Sequence, residues 1–131
     1  METPINYLHI MLINLTNHPS ALWDKAQQQA ASQYGACMDM PFPAIDSEGD
    51  ENYIDRLTDE YLQKILTLAD EQKNKVAVHI MGEMTFSFAL VEKLKNAGIR
   101  CVASTSVRDS IDLGNGQKEI TFKFVKFRNY L

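Results

Sequence analysis

Tyr7-Leu8-His9-Ile10-Met11-Leu12-Ile13-Asn14-Leu15 is a nearly continuous apolar run, bounded by Pro4 on one side and by Asn17-His18-Pro19 on the other. It is too short for a lone buried helix, and apolar residues crowd both alternating sets of positions. That pattern predicts a central strand buried on both faces, the kind found in parallel sheets with helices packed above and below. From Pro19 to Tyr34 the period changes: Trp23, Ala26, Ala30 and Tyr34 recur on one stripe of a helix. Pro19 suits the first helical position and Gly35 the residue just past the last.

The same grammar repeats downstream. Residues 36–43 read as a short second strand stopped by Pro41 and Pro43, since proline cannot donate to a ladder. An acidic loop from Asp46 to Glu51 leads into a helix with Ile54, Leu57, Tyr61, Ile65 and Leu68 on one face. Residues 75–81 form a third apolar strand, followed by Gly82-Glu83-Met84-Thr85 and a helix carrying Phe86, Leu90, Leu94 and Ala97, closed by Gly98. A fourth strand covers 99–104. Residues 110–113, a Gly114-Asn115-Gly116 turn and the alternating run Ile120, Phe122, Phe124, Val125, Phe127 then predict a terminal antiparallel hairpin. The expected architecture is α/β: one Rossmann-like domain over residues 1–131, a three-layer open sheet, mostly parallel in order 2-1-3-4, with the hairpin at an edge.

Composition narrows the function classes. Apolar residues make up 45% and charged residues 23% of the 131, ordinary values for a globular chain. The net charge of −4 gives no field to hold duplex nucleic acid, so any nucleotide must be recognised locally. Cys37 and Cys101 are too few for a disulfide scaffold and read as small buried hydrophobes in a reducing cytoplasm. No CxxC or His-rich tract offers metal spacing, and no cofactor fingerprint is present: neither GxGxxG nor GxxxxGK[ST] occurs. The N-terminal run is broken by His9 and Asn14 and lacks a basic leader, so neither a signal peptide nor a membrane partner is expected.

In such sheets ligands bind outside the carboxyl ends of the strands, where helices leave for opposite faces. Two loops should converge there, residues 14–20 and residues 81–87, with 104–108 beside them as the loop after the fourth strand. Helix N-termini in these loops would favour a phosphate or carboxylate. Asn14, Thr16, Asn17, Ser20, Ser104 and Thr105 supply polar groups; Gly82 would permit close backbone approach; Thr85 could cap its helix; Arg108 could supply a bidentate cation. Capping is an equally available role for Thr16, Asn17, Ser20 and Thr85. His18 is the histidine best placed for proton transfer, whereas His79 and His9 read as core histidines. Glu83 would suit a helix start or contact ligand hydroxyls or base edges. Arg108 could instead pair with Asp109 or Asp112.

The segments 14–20, 81–86 and 103–108 together resemble the small stand-alone proteins related to CRISPR-associated Rossmann-fold sensor domains. The likeness covers most of the chain in layout and rests on short motifs. It implies a homodimer whose clefts hold a cyclic oligoadenylate and, in ring-nuclease members, cleave it without metal by attack of a ribose 2′-hydroxyl on the adjacent phosphorus. By that resemblance His18 would act as base or acid, Ser20, Ser104 and Thr105 would donate to phosphate oxygens, and Arg108 would neutralise charge. No lysine stands in these loops, a departure from what a strongly anionic ring would favour. Two other classes stay open: a hydrolase or transferase for another phosphorylated metabolite, and a non-catalytic assembly subunit whose Phe122–Leu131 strand adds to a partner's sheet.

Overall fold

The computed structural model describes residues 9–131. The expected strand start at Tyr7-Leu8, its Pro4 boundary and the leader reading lie outside them. Five strands form one sheet in the order β2-β1-β3-β4-β5. They are β1 (Met11–Thr16), β2 (Ala36–Asp39), β3 (Val76–Met81), β4 (Arg100–Gly114) and β5 (Gln117–Asn129). The first four run parallel to one another, and β5 pairs antiparallel with β4. Three helices connect them: α1 (Lys25–Ser32), α2 (Glu51–Ala69) and α3 (Met84–Asn96). The expected doubly covered, mostly parallel sheet with a terminal hairpin is therefore what the chain adopts. Among the described residues, no helix is long and apolar enough to cross a membrane.

Side chains alternate across a strand, so each strand feeds two different cores. Ile13 and Leu15 of β1, Val76, Val78 and Ile80 of β3 and Cys101 of β4 pack under Ile65 and Ala69 of α2 and Phe86, Leu90, Val91 and Leu94 of α3. Lys93 of α3 stitches the two helices together by reaching Asp55 and Asp59 of α2, each at 2.7 Å. On the other face Leu12, Ala77 and Val102 pack under Trp23 and Ala31, with Tyr34 and Phe127 at the margin. This second core is smaller because α1 is only eight residues long. Its cover stops halfway along the strands.

That short cover corrects the sequence reading of the first crossover. Pro19 does not start the helix; it precedes a single 3-10 turn at Ser20–Leu22, and α1 begins after Asp24, whose carboxylate accepts from Gln27 N at 2.8 Å. The buried stripe shifts accordingly, with Ala31 inward and Ala26 exposed. Leu68 is likewise 40% exposed, and Ala69 takes its expected place in the core. Cys37, on the edge strand β2, is exposed instead of buried.

A larger correction concerns residues 104–108. They are no loop but the middle of β4, a continuous strand that runs on past the end of β3 with β5 as its partner. The β3–β4 pairing is Ala77–Arg100, Val78–Cys101 and His79–Val102 in register, after which β4 follows β5 alone. A bulge between Thr105 and Ser106 leaves Val125 with no residue opposite. The outer part of the ribbon closes on a two-residue Asn115-Gly116 turn, both residues at positive φ (53° and 74°), which is the backbone twist a tight hairpin requires.

Candidate functional site

Where α1 begins and β4 parts from β3, the sheet opens into a cleft of about 670 Å³. Thr16, Asn17 and His18 line it from the end of β1, His79, Met81 and Gly82 from the end of β3, and Ser104, Thr105 and Ser106 from β4. Trp23, Phe122 and Phe124 form an aromatic side. The two loops expected to converge, 14–20 and 81–87, thus share one depression at the carboxyl end of the parallel strands. Its polar floor follows from strand alternation: Thr16 and His79 fall on the same face as Leu12 and Ala77, and Asn14, on that face too, is buried outside the lining.

Asn14 organises this floor. It is 1% exposed, and every hydrogen-bonding position of its amide is used. Its Nδ2 donates to the His18 carbonyl and to Asp39 Oδ1, both at 2.9 Å. Its Oδ1 accepts from the Thr16 hydroxyl and meets His79 Nδ1, both at 3.0 Å. The amide can face only one way, since a carbonyl and a carboxylate both need donors. Oδ1 therefore demands a proton on His79 Nδ1, which leaves Nε2 as the bare nitrogen of the neutral ring.

Burial, reinforced by the charge of His18, pushes the His79 pKa down to about 4. The sign of the consequence is fixed: a histidine whose folded pKa lies below its unfolded value near 6.5 binds fewer protons folded than unfolded between those limits, so stability declines as pH falls through that window. Between pH 7 and pH 5 the loss should be on the order of 2 kcal/mol. Urea midpoints at the two pH values measure it, and His79→Gln should flatten the difference.

The polar candidates divide by how fully their atoms are used. Ser20 donates from its backbone and hydroxyl to Asp39, at 3.1 and 3.2 Å, and so anchors β2 to the loop instead of facing the cleft. Burial pushes the Asp39 carboxyl up, but donors from Asn14 and Ser20 outweigh it and hold it below the usual carboxylate range. The Thr16 hydroxyl accepts from His18 N at 3.1 Å, folding the loop that brings His18 to the cleft. Thr105 exchanges hydrogen bonds with the backbone of Lys126, at 3.1 and 3.2 Å, patching the ladder beside the bulge. Asn17 and His18 are exposed on the rim.

Ser104 differs from all of these. Its N–H and its hydroxyl both rest on the thioether of Met81, at 3.3 and 3.1 Å. Sulfur of this kind is a weak acceptor, so both donors are cheaply transferred to a better one.

Glu83 and Thr85 belong elsewhere. Glu83, not Thr85, caps α3: its carboxylate accepts from Phe86 N at 2.7 Å and from the Thr85 hydroxyl at 2.7 and 2.9 Å. Those two donors, the Phe86 amide first, hold its pKa below the usual range. Neither residue lines the cleft; Thr85 borders a separate depression with Asp50 and Glu51 at the start of α2. Gly82 lines the cleft, but its missing side chain also makes room for the ring of Phe42, into which a Cβ would run. Arg108 is outside the lining. It is opposite Phe122 on the face that Ser106 and Phe124 share, the next position outward along the ribbon. Asp109, its expected partner, pairs with Lys123 at 3.2 Å.

Two members of the network at the cleft lie outside the candidates that the sequence offers: His79, which reads as a core histidine, and Asp39, which reads as part of a short strand. The available signal was register: polar residues at the same depth of two apolar strands, one step apart across a parallel pair, Asn14 beside His79 and Asp39. Among the described residues, no group of three or more histidine, cysteine, aspartate or glutamate side chains could hold a metal ion.

No curated protein and no solved structure matches this chain. Residues 10–128 match the model of the family described as the uncharacterized protein MJ1673 family, and with that span the chain belongs to this family.

Proposed function

We propose that the cleft binds a nucleotide, that the specific ligand is a cyclic oligoadenylate of CRISPR-type signalling, and that the protein is a ring nuclease acting on it. The observation that carries this reading is Ser104: two donors held on a thioether, at the mouth of a parallel sheet, facing an aromatic side formed by Trp23, Phe122 and Phe124. A phosphate oxygen would take both donors, and an adenine would stack on the rings. No lysine or arginine lines the cleft among the described residues, so charge would be met by these donors, by His18, and by Arg108 for a ligand long enough to reach along the ribbon.

In the proposed cleavage the ribose 2′-oxygen bonds to phosphorus and the bond from phosphorus to the 5′-oxygen breaks. One proton leaves the 2′-hydroxyl for a base, another reaches the 5′-oxygen from an acid, and the products are a 2′,3′-cyclic phosphate and a 5′-hydroxyl. The imidazole of His18 can serve in either role. Trp23 is the single tryptophan and lines the cleft, so its fluorescence reports binding directly. Incubation with labelled cyclic tetra- and hexa-adenylate plus a chelator should quench Trp23 and yield cyclic-phosphate ends. No change in fluorescence together with no cleavage would overturn the reading.

A second feature favours a homodimer. Val107, Ile111, Leu113, Ile120 and Phe122 on the β4–β5 ribbon are all 45–68% exposed, and among the described residues β5 is an edge of the sheet. Natural edges of this length are normally blunted or covered. Two-fold antiparallel pairing of β5 with its copy would satisfy the backbone groups of that edge and bring the exposed residues of the two ribbons side by side. Light scattering should give twice the chain mass for the wild type and the chain mass for Ile120→Lys; a monomeric wild type at tens of micromolar would rule the pairing out.

A further inference from the structure

The cleft floor holds one polar atom that the protein itself leaves unanswered. His79 is 2% exposed and its Nε2 has no hydrogen-bond partner among the described residues, although the same ring is bonded through Nδ1 to Asn14. A buried nitrogen lone pair without a partner costs free energy, and such sites persist where they serve something. Around the ring stand Trp23 at 5.4 Å and Phe127 at 5.2 Å, both edge-on, which fix its plane and flank it with aromatic surface. The chain Asp39 to Asn14 to His79 Nδ1 fixes its tautomer.

We propose that His79 Nε2 is the acceptor that selects the ligand, taking a hydrogen bond from an uncharged O–H or N–H donor of a nucleoside. The assignment rests on the nucleotide reading of the cleft and adds what that reading lacks, an atom that distinguishes one nucleoside from another. A cationic group at Nε2 would have to shed its water beside the edges of Trp23 and Phe127, and an acceptor there would face lone pair against lone pair. An uncharged donor satisfies both partners at once. In an adenine nucleoside that donor is either a ribose hydroxyl or the exocyclic amino group.

Trp23 fluorescence titrations decide the matter. The panel is cyclic tetra-adenylate, its 2′-deoxy analogue and its inosine analogue, then adenosine, 2′-deoxyadenosine and inosine, applied to wild type, His79→Asn and His79→Gln. Asparagine keeps a donor for Asn14 and removes Nε2; glutamine can return an amide oxygen to the Nε2 position. We expect His79→Asn to weaken binding about tenfold or more and His79→Gln to restore part of it. Loss of affinity with the deoxy analogues identifies the hydroxyl as the donor, and loss with the inosine analogues identifies the amino group.

Wild-type affinity in both variants overturns the assignment while leaving the nucleotide reading intact. Binding of nucleosides that depends on His79, with none of the cyclic ligands bound, supports the assignment and defeats the cyclic oligoadenylate reading. If no member of the panel binds, both fall. Should the variants fail to fold, nitrogen-15 spectra of the wild-type imidazoles settle the point: an Nε2 signal that starts as a bare nitrogen and moves on adding cyclic tetra-adenylate or adenosine supports the proposal, and one that neither moves refutes it.

Discussion

Asn14→Asp should lower the unfolding free energy by more than about 3 kcal/mol at neutral pH and abolish ligand binding, although it changes no side-chain volume. The amide is saturated: two donors reach the His18 carbonyl and Asp39, and the oxygen accepts from Thr16 and His79. A carboxylate in its place cannot donate, so the His18 carbonyl loses a partner and two carboxylates face each other across what was a 2.9 Å hydrogen bond. The position is 1% exposed, which denies water the chance to repair either loss. Lowering the pH toward 5 should narrow the difference from the wild type at the same pH, as the introduced carboxyl takes up a proton and donates again. Urea unfolding followed by Trp23 fluorescence measures both effects. A loss under 1 kcal/mol would mean that the network contributes little, and the orientation deduced for His79 would go with it.

Gly35→Ala is expected to be nearly as damaging, for a reason with no chemistry in it. Gly35 turns the chain from α1 into β2 at φ +92°, a region that costs a side chain about 1–2 kcal/mol. Its Cβ would also press into the backbone carbonyl of Ile10, whose oxygen accepts from Ala36 N at 3.2 Å to begin the β1–β2 ladder. Backbone in a sheet cannot rotate away as a side chain would. The sum should reach about 3 kcal/mol, or a fall in melting temperature of roughly 10 °C. Gly98→Ala is the internal control, because Gly98 has a similar φ of +85° with nothing within 4 Å of an added Cβ. It should lose only the conformational part. Equal losses at the two glycines would show that the Ile10 contact relaxes freely.

The two faces of the sheet differ in how well local pattern disclosed them. The α2–α3 face was legible almost residue by residue, because Ile65, Phe86, Leu90 and Leu94 recur with the helical period and face long apolar strands. The α1 face was less so. A helix of eight residues carries too few turns to display a stripe, and Trp23 enters the core from the turn before it. Residues 104–108 looked like a loop because serine, threonine and arginine punctuate them. They are a strand because β5 supplies a partner that no window of local sequence contains.

Strand identity, sheet order and the meeting of residues 14–20 with 81–87 are set by periods and turn residues written into neighbouring positions, which is why they can be read without coordinates. The chemical character of the cleft is not local. Whether His79 is a filled core residue or one with a bare nitrogen depends on Asn14, 65 positions away, and on Asp39 beyond it, and that dependence exists only when three parallel strands lie in register. Ser104 and Met81 become partners for the same reason, since β4 parts from β3 just beyond His79 and Val102. Hydrogen-bond satisfaction is a property of assembled neighbours, and only the folded chain decides it.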